Sequence, residues 1–420
     1  MNRQYRISTP LFVSFVLVVL AGCTPYFKGV AGYFFFWIII VSTLFFKIGT
    51  PVYQRCSTIL MSTILYVSVI LIYRLLGIST AKPGYYLGLL LFYMVVLLLP
   101  IVPNDELSKK AKKLWWCIMI IILFNVVDNI RLSILYPEIN LIRFYLDSDF
   151  LSSINAGGGS FYTLTLFFFC VCYFVWLNTE QRKLKWFSLV AAVVTAIYIC
   201  GFCFKASVVL YFILSAVLIY YAKKTQNRTS FVFVALLSGF VVVSLVGNFS
   251  NEFINLIETV SPNERLTMRF VTLVDENADE AHEATITGRT NLYMLSVKTW
   301  LTNTVTFFFG IGDHYTVLDP AKTGIGQHAS LLDLLGRYGI LGASLVFIML
   351  KKSFSYILSL FSQEYRLQIG AIFLVYILCG LTKEIFEAGI GCVLFILLPL
   401  SATVLDKSKN NSSVNNKRQL

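Results

Sequence analysis

The hydrophobic positions of the chain fall into long runs, and short polar segments separate them. A helix needs about 20 mostly apolar residues to cross the hydrocarbon core of a bilayer, and most of the runs approach that length. The pattern therefore predicts an all-α polytopic membrane protein with about twelve transmembrane helices. The predicted helices lie near residues 9–24, 29–46, 57–76, 85–102, 114–130, 160–177, 186–203, 206–222, 230–247, 338–350, 367–383 and 387–405.

The composition excludes a soluble multidomain protein. Of the 420 residues, 57% are hydrophobic and 13% are charged, whereas soluble domains carry about 25% charged residues. The apolar share is large enough to furnish the predicted membrane helices, so composition and pattern agree.

The cationic residues are distributed unevenly between the two sides of the predicted membrane. The net charge is +12, and 21 of the 34 Lys and Arg residues lie near the two chain ends or in alternate loops. Because short cytoplasmic loops are enriched in Lys and Arg, both termini are predicted to be cytoplasmic. This orientation, with attraction to anionic lipid, explains the charge, and no nucleic-acid partner is expected. The 21 residues are Arg3, Arg6, Lys47, Arg55, Lys109, Lys110, Lys112, Lys113, Arg182, Lys183, Lys185, Lys223, Lys224, Arg228, Lys351, Lys352, Arg366, Lys407, Lys409, Lys417 and Arg418.

One long polar stretch, residues 248–337, interrupts the apolar pattern between the ninth and tenth predicted helices. The number of preceding crossings places it on the outer face of the membrane. The expected organisation is nine helices in 1–247, an extracytoplasmic loop in 248–337 and three helices in 338–405. Residues 406–420 are rich in Asn, Ser and Lys and are expected to form a disordered cytoplasmic tail.

Residues 285–300 of the loop have the pattern of a helix whose start is marked by Thr and Gly. Arg289 would lie in the first turn, where free backbone N–H groups favour anions. A cation is unfavourable at that position unless an anion is bound, so the sequence suggests a phosphate ligand. The alternative is that Arg289 pairs with one of the loop acids. These are Asp275, Glu276, Asp279, Glu280 and Glu283.

A second helix is predicted after His328, following a predicted turn at Gly310-Ile-Gly312. A His at a helix start suits the role of a base or hydrogen-bonding group. The alternative is that it caps or packs the helix. Three leucines would dock this helix, and three glycines would let other helices approach closely as it enters the tenth span. These residues are Leu331, Leu332, Leu335, Gly336, Gly339 and Gly342.

A metal site is not expected from the sequence. All three histidines, His282, His314 and His328, lie in the long loop, but their spacings of 32 and 14 residues fit no local metal motif. Asp147-Ser-Asp149 resembles a metal-binding carboxylate pair, but two acids this close are common in polar loops. We therefore expect neither a metal nor another cofactor.

The two loop segments together resemble the bacterial O-antigen polymerase (Wzy) and O-antigen ligase (WaaL) superfamily. The matching pieces are Thr287-Gly-Arg289, Gly310-Ile-Gly312 and the run from His328 to Gly342. Phe204-Lys205-Ala-Ser207 occupies the place of an earlier outer hairpin that usually carries Arg. Tyr293 stands where the family usually has Trp. Close matching covers residues 285–342, and the span count and late outer loop extend the resemblance to the whole chain.

The resemblance implies a GT-C-like helical scaffold in the bacterial cytoplasmic (inner) membrane. It implies transfer of a glycan carried on undecaprenyl diphosphate, at the outer face and without a metal. Arg289 and Lys205 would then bind the diphosphate, Arg269 or Arg265 would assist, and His328 would orient or deprotonate the acceptor hydroxyl. Catalysis is thus assigned to Arg289 and His328. Implied partners are the lipid-linked glycan as donor and acceptor, membrane lipid, a flippase and a chain-length regulator.

Three functions remain open on the sequence. A polymerase of repeat units for O-antigen, capsule or exopolysaccharide is preferred, and a ligase that moves finished glycan to another acceptor is second. A glycan flippase or other transporter is third. Such proteins usually show repeated halves and broken helices at the membrane midplane, and this sequence shows neither clearly.

Six charged residues near predicted span ends complete the candidates. Charges inside a membrane are candidates for function, but the ends of spans reach water, so most of the six are expected to be solvated. Lys383, Glu384 and Glu387 cluster on the predicted outer side, where they could contact the glycan. The other three are Arg74, Asp128 and Arg131.

Overall fold

The computed structural model is helical throughout the part of the chain that it describes. None of the described residues lies in a β-strand. The all-α prediction is therefore confirmed for these segments. The structure describes residues 12, 13, 16, 17, 19, 20, 23, 51–76, 105–136, 159–202, 206–225, 227, 229–234, 237, 286–312, 325, 326, 329–383 and 385–405.

Eleven α-helices have both of their ends within the described segments, and two of them are extended by π-helical turns. Residues 229–234 are helical as well. A short 3-10 turn, Gln363–Tyr365, precedes α9. The helices are α1 (Pro51–Leu75), α2 (Asp105–Leu135), α3 (Gly159–Asn178), α4 (Arg182–Ile197, followed by the π-helical turn Tyr198–Phe202), α5 (Ala206–Lys224), α6 (Ile286–Leu301), α7 (Thr304–Phe309), α8 (Ser330–Ser359), α9 (Arg366–Gly380), α10 (Ala388–Gly391, followed by the π-helical turn Cys392–Leu397) and α11 (Leu398–Leu405).

Five helical stretches in the described segments are long and apolar enough to cross a membrane by length and composition: Lys110–Leu135, Phe161–Asn178, Arg182–Phe202, Ser207–Lys224 and Ser330–Ser359. Two shorter apolar helical stretches accompany them, Ile64–Leu75 and Gly389–Leu405. All seven overlap predicted spans. The predicted spans near 29–46 and 85–102 lie outside the described residues, as do most of those near 9–24 and 230–247.

The α4 helix shows why these helices suit a lipid environment. Its apolar side chains at 186, 190, 193 and 197 are about half exposed, at 59%, 51%, 48% and 53%. They recur at helical spacing and form one outward stripe, while Leu184, Ala191 and Thr195 face the protein. An exposed apolar stripe of this length is unfavourable in water but matches the hydrocarbon of a bilayer.

The α3 helix lies at the centre of the bundle. It is apolar around its whole circumference, as expected for a helix surrounded by others, and Phe167, Phe168 and Phe174 are completely buried. It packs against α4, α5, α9 and the C-terminal helices. A further polar link joins α2 to α11, because Trp115 Nε1 of α2 donates to Ser401 Oγ of α11 over 3.0 Å.

Two buried amides, those of Asn178 and Gln368, and the exposed Lys223 join three helix ends at one end of the bundle. Asn178 Nδ2 at the end of α3 donates to Gln368 Oε1 at the start of α9 over 2.7 Å. Lys223 Nζ at the end of α5 donates to Asn178 Oδ1 over 2.7 Å. We call Asn178, Gln368 and Lys223 the amide cluster. The loops after α3, after α5 and before α9 therefore lie close together. The charge pattern assigns all three to the same side of the membrane.

Candidate functional site

The predicted loop helix is confirmed as α6, which runs from Ile286 to Leu301 and places Arg289 in its first turn. The structure describes the backbone of Arg289 but not its side chain. The other predicted site residues, Lys205, Arg265, Arg269 and His328, lie outside the described residues. The site is therefore built from the described residues that surround these positions.

The Gly310-Ile-Gly312 turn fits into a break in α8. The φ angles of Gly310, Gly312 and Gly339 are 70°, 72° and 59°, which glycine adopts without strain. Gly339 interrupts the helix, so carbonyls just before it lose their usual partners. The amide of Ile311 donates to Gly336 O over 2.9 Å, and that of Gly312 donates to Arg337 O over 2.8 Å. The predicted turn is confirmed, and it satisfies the carbonyls that the break exposes.

Close backbone approach explains why glycines occupy this contact. A Cβ atom at Gly339 would lie 2.3 Å from the carbonyl carbon of Phe308, and one at Gly310 would lie 2.3 Å from that of Arg337. A Cβ at Gly336 would lie 3.2 Å from Ser296 O of α6. The prediction that Gly336 and Gly339 admit close neighbours is confirmed, and the neighbours belong to the same loop.

Asp333 holds the segment that contains His328 against α6. Its Oδ1 accepts from Ser296 Oγ over 2.6 Å, and its Oδ2 accepts from the Ala329 amide over 3.2 Å. The Gly326 amide in turn donates to Ser296 Oγ over 3.0 Å. Asp333 and Ser296 are buried. Residues 326 and 329, which flank His328, are thus both anchored to one buried pair.

Three segments that are distant in sequence meet just beyond the end of α9. Tyr293 Oη of α6 donates to Thr382 O over 2.9 Å. Tyr211 Oη of α5 lies 2.7 Å from Thr382 Oγ1 and donates to Leu378 O over 3.1 Å. Tyr293 lies one helical turn after Arg289, and Tyr211 is the sixth residue of α5, which begins directly after position 205.

The start of α8 joins the same place. The Ser330 amide donates to Lys383 O over 3.1 Å, and the Ile385 amide donates to Ser330 Oγ over 2.9 Å. We call Tyr211, Tyr293, Ser330 and Thr382 the hydroxyl junction. It lies at the opposite end of α5 and α9 from the amide cluster. It joins the elements adjacent to Lys205, Arg289 and His328.

The sequence predicts that most of the charged residues near span ends are solvated, but Lys383 is buried. Only 9% of its surface is exposed, because the turn after α9 is covered by the start of α8. Asp128 is likewise buried and forms an ion pair with Arg131 at 2.8 Å, whose side chain remains 60% exposed. Arg74 is exposed, as expected. Glu384 lies outside the described residues, and Glu387 is half-buried.

Sequence reasoning missed the contacts of the hydroxyl junction and the Asp333–Ser296 pair. Each contact joins positions far apart in the chain, so no local pattern marks it. Within the described segments, no three His, Cys, Asp or Glu side chains come together as a metal site requires. The three histidines lie outside those segments.

No protein-family model matches this sequence, and no curated protein matches it. Fold and sequence together define the class: an all-helical protein with apolar helices of membrane-spanning length.

Proposed function

We propose that the protein is a metal-independent glycosyltransferase that polymerises oligosaccharide repeat units carried on undecaprenyl diphosphate. The growing glycan is transferred from its lipid diphosphate to the next lipid-linked unit at the outer face of the bacterial inner membrane. The product serves O-antigen, capsule or exopolysaccharide synthesis. A flippase that supplies the units and a regulator of chain length are the expected partners.

The observation that carries this proposal is the hydroxyl junction. Several elements meet at one end of the bundle, and they contain Arg289, the position after Lys205 and the residues flanking His328. That end is opposite the amide cluster, which gathers the loops predicted to be cytoplasmic. A site for a lipid-linked substrate at the outer face needs cations and a base at that same end.

The charge that develops during glycan transfer explains why Arg289 and Lys205 are cations. Transfer breaks the bond between the anomeric carbon and a diphosphate oxygen, and it forms a bond from that carbon to the acceptor oxygen. Negative charge builds up on the departing undecaprenyl diphosphate, and fixed cations stabilise it in the absence of a metal. Arg289 suits this task because its guanidinium can bind two phosphate oxygens at once. Lys205 acts as a point charge without the planar fork of Arg.

His328 has the complementary role at the acceptor. The acceptor hydroxyl loses its proton as the new bond forms, and a neutral imidazole is a suitable base. The anchored residues on either side of His328 favour a fixed position for that base. Arg265 and Arg269, in the same loop, are assigned as assisting cations for the diphosphate.

A deletion strain tests the function directly. Its undecaprenyl-linked glycans are extracted and sized. Single repeat units on the lipid are expected if the protein polymerises them. Full-length chains stranded on the lipid would instead identify the ligase reaction, and an unchanged glycan pool would favour transport of another substrate.

Point variants test the site assignment in the same strain. Arg289→Ala and His328→Ala should each abolish polymer while the protein still accumulates in the membrane, because each removes a group that acts in the transition state. Lys298→Ala is the matched control, since Lys298 is exposed near the other end of α6. Normal polymer from Arg289→Ala or His328→Ala would contradict that residue's role.

A further inference from the structure

The short helix α7 exposes an apolar face, although it belongs to the loop predicted to lie outside the membrane. Val305, Phe308 and Phe309 are spaced as i, i+3 and i+4, so they share one side of the helix. Their exposed fractions are 67%, 42% and 51%. We call these three residues the α7 face. Such a face is unfavourable in water, and glycan transfer as proposed above gives it no role.

The position of α7 along α8 indicates the depth at which it lies. A Cβ atom at Gly339 would lie 2.3 Å from the carbonyl carbon of Phe308, so α7 packs at the level of Gly339. Lys351, which follows Gly339 by twelve residues, is exposed, as is Lys352. Because charged residues are costly inside a bilayer, these lysines mark one boundary of the hydrocarbon. Twelve residues of helix extend about 18 Å, and the hydrocarbon is about 30 Å thick. The contact therefore lies within the hydrocarbon layer.

Exposed apolar residues of α1 and α8 occur beside α7. Tyr73 Oη of α1 donates to Phe309 O, so α7 lies next to the last turn of α1. The charge pattern places that end of α1 at the outer face. Ile72, adjacent to Tyr73, is 52% exposed, and Leu341, in the same part of α8, is 48% exposed. Both belong to apolar helical stretches that overlap predicted spans. The surroundings of α7 are thus those of the outer leaflet.

Side chains of the protein bind the backbone groups at both ends of α7. Trp300 Nε1 donates to Phe307 O over 3.0 Å, and Tyr73 Oη binds the carbonyl two residues later. At the start, Asn303 Oδ1 accepts from the Thr306 amide over 2.9 Å, and the Asn303 amide donates to Thr306 Oγ1 over 3.1 Å. The bilayer core offers no water to backbone groups, so a short helix there needs partners within the protein. These bonds meet that requirement.

We propose that α7 is immersed in the outer leaflet of the membrane and that the α7 face contacts the acyl chains of phospholipids. The loop predicted over residues 248–337 then re-enters the bilayer at α7. The depth, the neighbouring exposed residues and the bound carbonyls support lipid hydrocarbon as the partner. None of them depends on glycan transfer, so this inference stands apart from the proposed function.

The test adds one tryptophan to the α7 face of the full-length protein, which is reconstituted into phosphatidylcholine vesicles with brominated acyl chains. Bromine quenches tryptophan only at close range, and mid-chain bromines lie within the hydrocarbon. The emission that Val305→Trp adds to that of wild type should therefore fall by at least about half relative to unbrominated vesicles, since the added indole lies inside a layer about 30 Å thick.

Lys298→Trp is the matched control on α6. Lys298 is exposed and charged, so its position faces water. The emission added there should be quenched by aqueous iodide and should change little with brominated lipid. Equal quenching of both variants by bromine would overturn the inference, because the quenching would not be specific to the α7 face.

The remaining outcomes identify other surroundings. Quenching of Val305→Trp by iodide but not by bromine would place the α7 face in water and overturn the inference. Quenching by neither would also overturn it, because another part of this chain or a second copy would then cover the face. If unbrominated undecaprenyl phosphate restored the emission in brominated vesicles, a bound polyprenyl chain would replace phospholipid as the partner, and the inference would be wrong.

A second measurement needs no variant and applies even if Val305→Trp does not fold. A phospholipid with a photoreactive group in its acyl chain labels the wild-type protein in vesicles, and mass spectrometry of peptides locates the adducts. The exposed stripe of α4, which includes Trp186 and Val190, is the positive control. Adducts on α7 as well as on α4 are expected. Adducts on α4 without any on α7 would overturn the inference.

Discussion

The two ends of the α5–α9 pair are joined in different ways. In the amide cluster, every link runs between side chains: Asn178 Nδ2 to Gln368 Oε1 at 2.7 Å, and Lys223 Nζ to Asn178 Oδ1 at 2.7 Å. In the hydroxyl junction, four of the five links between elements involve a backbone carbonyl or amide, as in Tyr293 Oη to Thr382 O at 2.9 Å.

This difference indicates that the amide cluster and the hydroxyl junction have different roles. The amide cluster connects only helices predicted to span the membrane, and its members depend on one another's side chains. The hydroxyl junction connects two such helices, α5 and α9, to α6 and to the start of α8, which carry the loop motifs. We infer that the amide cluster fixes the bundle, while the hydroxyl junction fixes the site on the bundle.

The largest effect is expected at the loop end, from Gly339→Ala. The φ angle of Gly339 is 59°, and a Cβ there would lie 2.3 Å from the Phe308 carbonyl carbon. Since both the backbone conformation and the contact forbid a side chain, the variant should lose more than about 3 kcal/mol of unfolding free energy. Size-exclusion chromatography of the detergent-solubilised protein, with thermal unfolding, measures the loss.

Gly370→Ala is the matched control for that variant. Nothing lies within 4 Å of a Cβ at Gly370, which is inside α9. Because Ala favours a helix over Gly by roughly 0.5–1 kcal/mol, this control should keep or slightly raise the stability. Equal stability of the two variants would contradict the described packing of the 310–312 turn against α8.

Asp333→Asn should have the next largest effect. The buried carboxylate accepts from Ser296 Oγ at 2.6 Å and from the Ala329 amide at 3.2 Å. An amide presents one acceptor oxygen, so one buried donor loses its partner at a cost of about 2 kcal/mol. Thermal unfolding and polymer yield should both fall. Glu364→Gln, an exposed acid beside the start of α9, should change neither.

The amide cluster should respond with a loss of stability alone. Gln368→Leu leaves the buried Asn178 amide with fewer partners and should cost about 1.5 kcal/mol. Product per folded molecule should stay at the wild-type level, since the change is at the other end of the bundle from the site. If product per folded molecule fell below the wild-type level, the amide cluster would contribute to activity as well as to stability. The two ends would then not have separate roles.

A double variant sharpens this result. Replacing both Asn178 and Gln368 by Leu removes the donor together with its acceptor, so the combined cost should be smaller than the sum of the single costs. Additive costs would mean that the two amides do not depend on each other.

The spans and the loop helix could be predicted because they rest on local signals. Apolar runs of sufficient length predict the helices of the bundle, and Thr and Gly before a periodic segment predict α6. The glycines at 336 and 339 also predicted a close approach. The sequence could not identify the neighbours, which include the backbone of Phe308 at Gly339 and of Ser296 at Gly336.

The hydroxyl junction could not be predicted for a physical reason. Tyr293 and Thr382 are separated by 89 residues, and Tyr211 and Thr382 by 171. A tyrosine is equally suited to a membrane interface, where its ring and hydroxyl face different surroundings. Only the packing of α5, α6 and α9 decides which carbonyl each hydroxyl reaches. For the same reason, the burial of Lys383 could not be deduced from its place after an apolar run.

The smallest change in stability, but the sharpest test of the comparison, is expected from Tyr293→Phe. The variant keeps the ring and removes only the hydroxyl that donates to Thr382 O at 2.9 Å. A single hydrogen bond contributes about 1 kcal/mol to the unfolding free energy. Tyr293 lies one turn after Arg289. Loss of its hydrogen bond therefore also loosens the helix that carries Arg289, which is proposed to bind the diphosphate. Since small misplacements of a binding group lower rates strongly, polymer formation per folded molecule should fall about tenfold.

Tyr220→Phe provides the control, because it makes the same chemical change on α5 near the amide cluster. Tyr220 is 49% exposed, and its ring lies 5.7 Å from Lys224 Nζ, a contact that phenylalanine retains. Both stability and polymer formation should therefore remain close to wild type. If Tyr293→Phe lowers stability without lowering the rate per folded molecule, the hydroxyl junction contributes to the fold in the same way as the amide cluster. The two ends would then differ in their bonds but not in their tasks.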